Sequence, residues 1–140
     1  FRSMRDDFLE NQGEEKIWNN LIRTIPSFYK LFHAGCNHAD FGPHAIMMSP
    51  EGSEHDKLID FQYSSFSDQK ISKSIAFQLG YFGWAVGTNR NWVSKSMLDM
   101  WYSEVLNNLG ITYSRTLKEI IKLNETSRQP IKVRLAYNSE

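Results

Sequence analysis

The stretch that decides the fold extends from Ser67 to Leu109 and is SDQKISKSIAFQLGYFGWAVGTNRNWVSKSMLDMWYSEVLNNL. Apolar residues recur every three or four positions from Ile71 onward, and Ser67 is a suitable N-cap, which together predict an α-helix. The second half of this helix, residues 80–87, is apolar on every side and contains three glycines. A segment of this kind must be surrounded by protein, and its glycines allow a neighbouring backbone to approach closely. We therefore expect another element to cross the helix there.

The helix that follows has the most regular amphipathic pattern in the chain. Its apolar face consists of Val93, Met97, Trp101, Val105 and Leu109. The opposite face is polar, and Gly110 is a natural end for the helix. We expect this helix to be the main cover of the preceding one.

The same periodicity predicts further helices over 14–25, from Pro26 to Gly35, and over 114–124. Residues 36–43 are rich in turn-forming residues and are predicted to form a loop. Segments 45–49 and 57–66 flank a turn at 50–54, and the alternation in 57–66 indicates a β-hairpin.

A third strand is predicted after Pro130. Apolar residues alternate with polar or small ones there, at Ile131, Val133, Leu135 and Tyr137. The predicted fold is a single α+β domain over residues 4–140, with about five helices packed on a small antiparallel sheet made of the hairpin and the C-terminal strand. Residues 1–3, which precede Met4, are interpreted as the remnant of an expression tag.

Composition indicates a globular protein. The chain has 140 residues, of which 41% are hydrophobic and 23% charged, so one buried core is expected rather than disorder. The single cysteine, Cys36, excludes an internal disulfide and favours a reducing, cytoplasmic setting. The longest nearly apolar run, residues 75–86, is far shorter than the ~20 residues of a membrane-spanning helix. No signal-peptide pattern opens the sequence, and no membrane partner is expected.

Charge is unevenly distributed although the formal net charge is zero. Residues 1–60 contain six basic and ten acidic side chains, whereas residues 115–140 contain six basic and three acidic ones. The candidate partner-binding residues form a basic face and are Arg115, Lys118, Lys122, Lys132 and Arg134. Such a face can contact an acidic protein surface, although a solvated face without a partner is the competing interpretation. The strongly basic footprint of a duplex-binding protein is absent, so nucleic acid is not the expected partner.

All four histidines fall within residues 33–55, together with candidate metal ligands at Cys36, His38, Asp40 and His44. Imidazole, thiolate and carboxylate are the usual ligands of zinc. Their spacing matches no established zinc signature, and the competing interpretation is that these side chains cap turns or bind backbone groups. No cofactor is therefore expected, and zinc is the alternative.

Catalysis has weaker support. Cys36, flanked by His33 and His38, has the residue types of a thiolate nucleophile, but a lone cysteine is more often a small buried apolar residue. The glycines of 80–87 lack the Lys-Ser/Thr ending of a P-loop. We assign no catalytic residue.

Four aromatic residues form a last candidate site, a small-molecule pocket lined by Trp84, Trp92, Trp101 and Tyr102. Aromatic side chains at helical spacing are also typical of an ordinary core.

These patterns favour a small intracellular binding module that docks on another protein, such as an inhibitor or an immunity protein of a toxin. One alternative is an enzyme, either a metal-dependent hydrolase or a Cys/His enzyme, that uses the region from His33 to His55. The other is a small-molecule-binding domain with an aromatic pocket.

Overall fold

A computed structural model describes residues 1–10 and 12–139. Its α-helices are α1 (Met4–Glu10), α2 (Glu14–Arg23), α3 (Ile25–His33), α4 (Ser72–Gly83), α5 (Lys95–Asn108), α6 (Arg115–Thr126) and α7 (Ile131–Leu135). Its strands are β1 (Arg2–Ser3), β2 (Cys36–His38), β3 (Ile46–Met48), β4 (Lys57–Leu58) and β5 (Ser64–Phe66). The helices pack on two small antiparallel sheets, one of order β1-β3-β4 and one of β2-β5. The predicted α+β class is confirmed.

The central helix is α4, in which every residue from Ser74 to Gly83 is buried. A Cβ atom added to Gly80 would lie 2.6 Å from the backbone oxygen of Ile121 in α6. One added to Gly83 would overlap the hydroxyl of Tyr102 in α5. The predicted crossing is therefore confirmed. The helix that packs most extensively along α4 is α6, however, so the prediction that α5 is the main cover of α4 is wrong.

The two ends of α4 differ from the prediction. The helix begins at Ser72 with Ile71 at its N-cap, whereas the Oγ of Ser67 accepts the backbone N–H of Gln69 in a local turn. At its other end α4 continues into a π-helix, Trp84–Asn89. Wide turns of this type are rare and occur frequently at functional sites.

Trp101 joins α5 to the first half of the chain. Its side chain is fully buried, and its Nε1 donates hydrogen bonds to the backbone oxygen of Leu21 at 2.8 Å and to Oγ1 of Thr24 at 3.1 Å. Its ring packs edge-on against that of Phe28, 5.8 Å between centroids. This contact fixes α5 against the α2–α3 corner.

The predicted loop over 36–43 is wrong at its start, because Cys36–His38 forms β2 and pairs with β5. The predicted hairpin is present, with Ile46 opposite Leu58, but its second strand is short. Asp60 has a φ of 63°, which breaks the strand after Leu58 and leads into a 3-10 turn at Phe61–Tyr63. The chain then re-enters a different sheet as β5.

The predicted C-terminal strand is also wrong, because its residues form α7 and a 3-10 turn, Ala136–Asn138. Pro130 precedes the helix, and the buried Arg134 donates to the backbone oxygens of Gln129 and Ala39. The alternation of apolar and polar residues in this segment therefore belongs to a short helix packed against the core, not to a β-strand.

The third strand of the hairpin sheet is β1, in which Arg2 lies opposite Met48 and Ser3 opposite Met47. Met4, which follows, is fully buried. Within residues 1–10 and 12–139, no helix combines the length and the apolar character needed to cross a membrane.

Candidate functional site

A cleft lies where the end of α4 and the π-helix face the segment after β2 and the chain beyond α6. Its volume is about 230 Å³. Its polar and aromatic lining consists of Arg5, Asp40, His44, Tyr81, Trp84, Asn89, Arg90, Trp92 and Arg128. We call this site the Arg–Trp cleft.

Asp40 is the hydrogen-bonding centre of the cleft. Its Oδ1 accepts the hydroxyl proton of Tyr81 at 2.5 Å, and its Oδ2 lies 3.2 Å from Nε2 of His44. Because a carboxylate only accepts, this His44 nitrogen carries the proton. Arg128 approaches Oδ1 at 3.9 Å. The carboxylate therefore fixes the orientation of two neighbouring rings.

The pKa of Asp40 reflects this arrangement. Burial raises it, but the hydrogen bonds from His44 and Tyr81 and the charge of Arg128 outweigh burial and lower the pKa to about 2. Burial and the hydrogen bond to Asp40 together raise the pKa of Tyr81 to about 12. At neutral pH the cleft therefore contains an ionised Asp40 beside a protonated Tyr81.

Two guanidinium groups lie over indole rings in the cleft. The Arg128 guanidinium carbon is 5.8 Å from the ring centroid of Trp84, and that of Arg90 is 5.3 Å from the ring centroid of Trp92. Phe8 of α1 stacks on Trp92 with an interplanar angle of 7°. Each arginine thus lies over a packed aromatic wall, which favours a defined guanidinium position.

The charge of the cleft is positive. Arg5, Arg90 and Arg128 contribute three positive charges against one negative charge from Asp40, an excess of two among these four residues. Among the lining residues that the structure describes there is no serine, threonine, cysteine or lysine to act as a nucleophile. The arrangement can bind an anion.

A larger cavity of about 580 Å³ lies elsewhere, between the start of α4 and the α5–α6 turn. Aliphatic and hydroxyl side chains line it together with Phe32 and Lys73. This cavity is larger, but the Arg–Trp cleft is the stronger candidate for a functional site. The cleft brings together ion pairs, shifted pKa values and guanidinium–indole contacts.

The four candidate metal ligands are only partly brought together. Asp40 and His44 meet in the cleft, whereas His38 uses both ring nitrogens elsewhere: Nε2 donates to the Ile59 carbonyl at 2.8 Å and Nδ1 accepts the backbone N–H of Asp40. The Cys36 thiol is buried, which raises its pKa to about 11. In the part of the chain that the structure describes, no group of three or more His, Cys, Asp or Glu side chains is arranged to hold a metal ion.

The predicted basic face is only partly formed: Lys118 and Lys122 line one groove of about 420 Å³ beside Glu125. Arg115, Lys118, Lys122 and Lys132 are exposed, and Arg115 pairs with Glu119 one helical turn away at 3.2 Å. Arg134 is buried, and its guanidinium lies 5.2 Å from the ring centroid of Tyr81, so it does not belong to the exposed face.

The candidate aromatic pocket divides into two parts. Trp84 and Trp92 line the cleft, whereas Trp101 and Tyr102 are fully buried in the core. The polar lining residues that sequence reasoning did not assign to a site are Arg5, Tyr81, Asn89 and Arg90. They come from α1, from α4 and from the end of the π-helix, and the local signal for them is the spacing of Tyr81 with Trp84 and of Arg90 with Trp92.

The fold and the cleft define an α+β domain with a basic, indole-walled cleft. In comparisons with known proteins, no family model matches the chain, and neither a curated protein nor a solved structure matches it.

Proposed function

We propose that this protein is a binding domain whose Arg–Trp cleft holds an anionic group of a ligand or partner. The observation that carries the proposal is the pair of guanidinium–indole contacts, Arg128 with Trp84 and Arg90 with Trp92, in one cleft with excess positive charge.

The contacts favour anion binding for a physical reason. Contact with an aromatic face holds the planar guanidinium in a defined position, and the N–H groups at its edge can then donate to an oxyanion in pairs. Arg128 reaches Asp40 only at 3.9 Å, which is longer than a hydrogen bond, so its donors remain available to a ligand. Asp40 itself has hydrogen bonds from Tyr81 and His44, which lessen its repulsion of an incoming anion.

The binding module expected from sequence is thus retained as a proposal, with its site placed in the cleft instead of on the predicted basic face. An inhibitor or an immunity-type protein would use the cleft to hold an acidic group of its target. The Cys/His enzyme is less well supported, because the Cys36 thiol is buried and remains protonated at neutral pH.

Nuclear magnetic resonance tests the proposal with an internal control. The chain contains four tryptophans, so its indole N–H groups give four resonances. Titration with benzoate, phenyl phosphate and inorganic sulfate at low salt should move the resonances of Trp84 and Trp92. Those of Trp18 and Trp101 should stay in place, because neither residue lines the cleft.

Two double variants with the same change in charge complete the test. Arg90→Gln with Arg128→Gln should abolish the shifts, whereas Arg115→Gln with Lys122→Gln should preserve them, because the latter pair lies on the exposed face of α6. If no anion moves Trp84 or Trp92, or if both double variants lose binding equally, the proposal is wrong.

A further inference from the structure

We propose that the anionic group held by the Arg–Trp cleft is a phosphate monoester, carried by a small molecule whose remaining atoms lie outside the cleft. This inference rests on the proposed function and narrows it to one ligand chemistry.

The first reason is charge. Arg5, Arg90 and Arg128 together exceed the charge of Asp40 by two. A phosphate monoester has a charge of about −1.5 to −2 at pH 7, which compensates this excess. A carboxylate or a sulfate ester has a single negative charge and would leave one guanidinium without a counter-charge.

The second reason is the number of donors. Neither the Arg90 nor the Arg128 side chain donates a hydrogen bond to another described residue. Both guanidinium groups can therefore donate to a ligand. Asn89, whose side chain ends in an amide donor, also lines the cleft. Two forks and an amide offer more donors than the two oxygens of a carboxylate can accept in good geometry, whereas a phosphate monoester presents three terminal oxygens.

The third reason is size. The cleft has a volume of about 230 Å³, and pockets that enclose a whole drug-sized ligand have about 300–1,000 Å³. The cleft therefore accommodates a charged head group and leaves the rest of the ligand at its mouth. The hydroxyl proton of Tyr81 is already donated to Asp40, so recognition of the head group falls to the arginines and Asn89.

The experiment compares two ligands that share a phenyl ring and a tetrahedral head group. Phenyl phosphate and phenyl sulfate are titrated into the full chain at pH 7.5 and low salt, with the indole resonances of Trp84 and Trp92 as the readout. Phenyl phosphate should bind at least about tenfold more tightly, because it brings close to one additional negative charge to the guanidiniums.

Variants show whether the preference originates in the cleft. Arg128→Gln should reduce the ratio of the two affinities, and Arg90→Gln should do the same if Arg128→Gln perturbs the fold. Lys122→Gln, on the exposed face of α6, should leave the ratio unchanged. A 5′-nucleoside monophosphate and phenyl phosphate should have affinities within a few-fold of each other, because the part that differs lies outside the cleft.

The outcomes separate the two proposals. Equal binding of the phosphate and the sulfate would overturn the phosphate assignment and leave an anion-binding cleft. Tighter binding of benzoate than of phenyl phosphate would do the same. The absence of any shift at Trp84 and Trp92 would overturn both proposals. A nucleoside monophosphate that binds far more tightly than phenyl phosphate would contradict recognition of the head group alone.

Discussion

The side chain of Gln78 in α4 takes the place of a neighbouring strand for His38 in β2. Its Oε1 accepts the backbone N–H of His38 at 3.1 Å, and its Nε2 donates to the backbone oxygen of Cys36, also at 3.1 Å. All three residues are buried. A single amide thus satisfies two backbone groups that would otherwise be orphaned in the core.

Replacement of Gln78 should therefore destabilise the domain. Gln78→Leu keeps a side chain of similar size but leaves a buried N–H and a buried carbonyl without partners, at a cost of about 2–4 kcal/mol in the free energy of unfolding. Urea denaturation followed by circular dichroism measures this loss. Gln62→Leu, at an exposed position, is the matched control and should change stability by less than about 0.5 kcal/mol. Equal effects of the two substitutions would contradict the bridging role.

Gly80 should not tolerate a methyl group. In Gly80→Ala the new Cβ would lie 2.6 Å from the Ile121 backbone oxygen, so α4 and α6 must separate. We expect a net loss of about 1–3 kcal/mol, although alanine has the higher helix propensity by about 1 kcal/mol. Ser103→Ala on the exposed face of α5 should be neutral or slightly stabilising. Thermal denaturation distinguishes these outcomes, and an unchanged melting temperature for Gly80→Ala would refute the close crossing.

The buried imidazole of His38 should make stability depend on pH near neutrality. Burial lowers the pKa of His38 from 6.5 and outweighs its hydrogen bond to Ile59, so the folded protein holds the neutral ring. Its contribution to stability is present above pH 6.5, and it is lost as pH falls from there toward the lower folded-state pKa, because the unfolded chain binds the proton first. One such group changes stability by at most about 1.4 kcal/mol per pH unit.

Denaturation of the wild type and His38→Gln at pH 7.5 and pH 5.5 measures this dependence. The variant should be less stable than the wild type at pH 7.5. Its free energy of unfolding should, however, decrease less between pH 7.5 and pH 5.5. His55→Gln, at an exposed position, should retain the full dependence of the wild type. An identical decrease in the wild type and His38→Gln would exclude His38 as the source.

Asp40→Asn should weaken the fold and strengthen anion binding at the same time. In the wild type, the lowered pKa of Asp40, about 2, corresponds to roughly 2 kcal/mol in the free energy of unfolding. This contribution is present above pH 4 and is lost as pH falls toward 2. The asparagine removes this contribution together with the negative charge of the cleft. Affinity for phenyl phosphate should rise several-fold at pH 7.5, provided that the variant is folded at the assay temperature. Weaker binding would mean that Asp40 positions the cleft more than it repels the ligand.

Cys36 should react slowly with a disulfide reagent in the native protein. Burial raises the pKa of its thiol to about 11, so little of the reactive thiolate is present at pH 8. Burial also keeps the reagent from reaching the sulfur. The thiol should react completely and quickly when the same sample is unfolded in urea, which provides the control. Rapid reaction of the native protein would instead support an accessible nucleophile.

Sequence periodicity predicts the helices well because their apolar residues lie on one face at helical spacing, as along Val93 to Leu109. It fails at β2, where the buried residues Asn37 and His38 are polar and depend on partners distant in the chain. It also fails at α7, because a five-residue helix is too short for its period to be distinguished from that of a strand. The presence of a helix can thus be predicted from neighbouring residues in the sequence. The hydrogen-bond partners of buried polar groups cannot, because they come from distant parts of the chain.

The cleft is harder to predict for the same reason. Asp40 and His44 stand close together in the sequence and are identified there as a polar pair. Their partners Tyr81 and Arg128 become neighbours only through the packing of α4 and α6. No periodic pattern marks a site whose members are supplied one at a time by separate elements.

The stacking of Phe8 on Trp92 ties the cleft to the N-terminal helix α1. The cleft is consequently a property of the completed domain, since it needs α1, the chain after β2, the π-helix and the chain after α6 in place together. Any ligand of the cleft would bind the native state alone, so by mass action it would raise the melting temperature in proportion to the logarithm of its concentration. Occupancy of the cleft would then be measurable as a change in the stability of the fold. A thermal-shift assay over a set of candidate compounds could therefore identify the natural ligand.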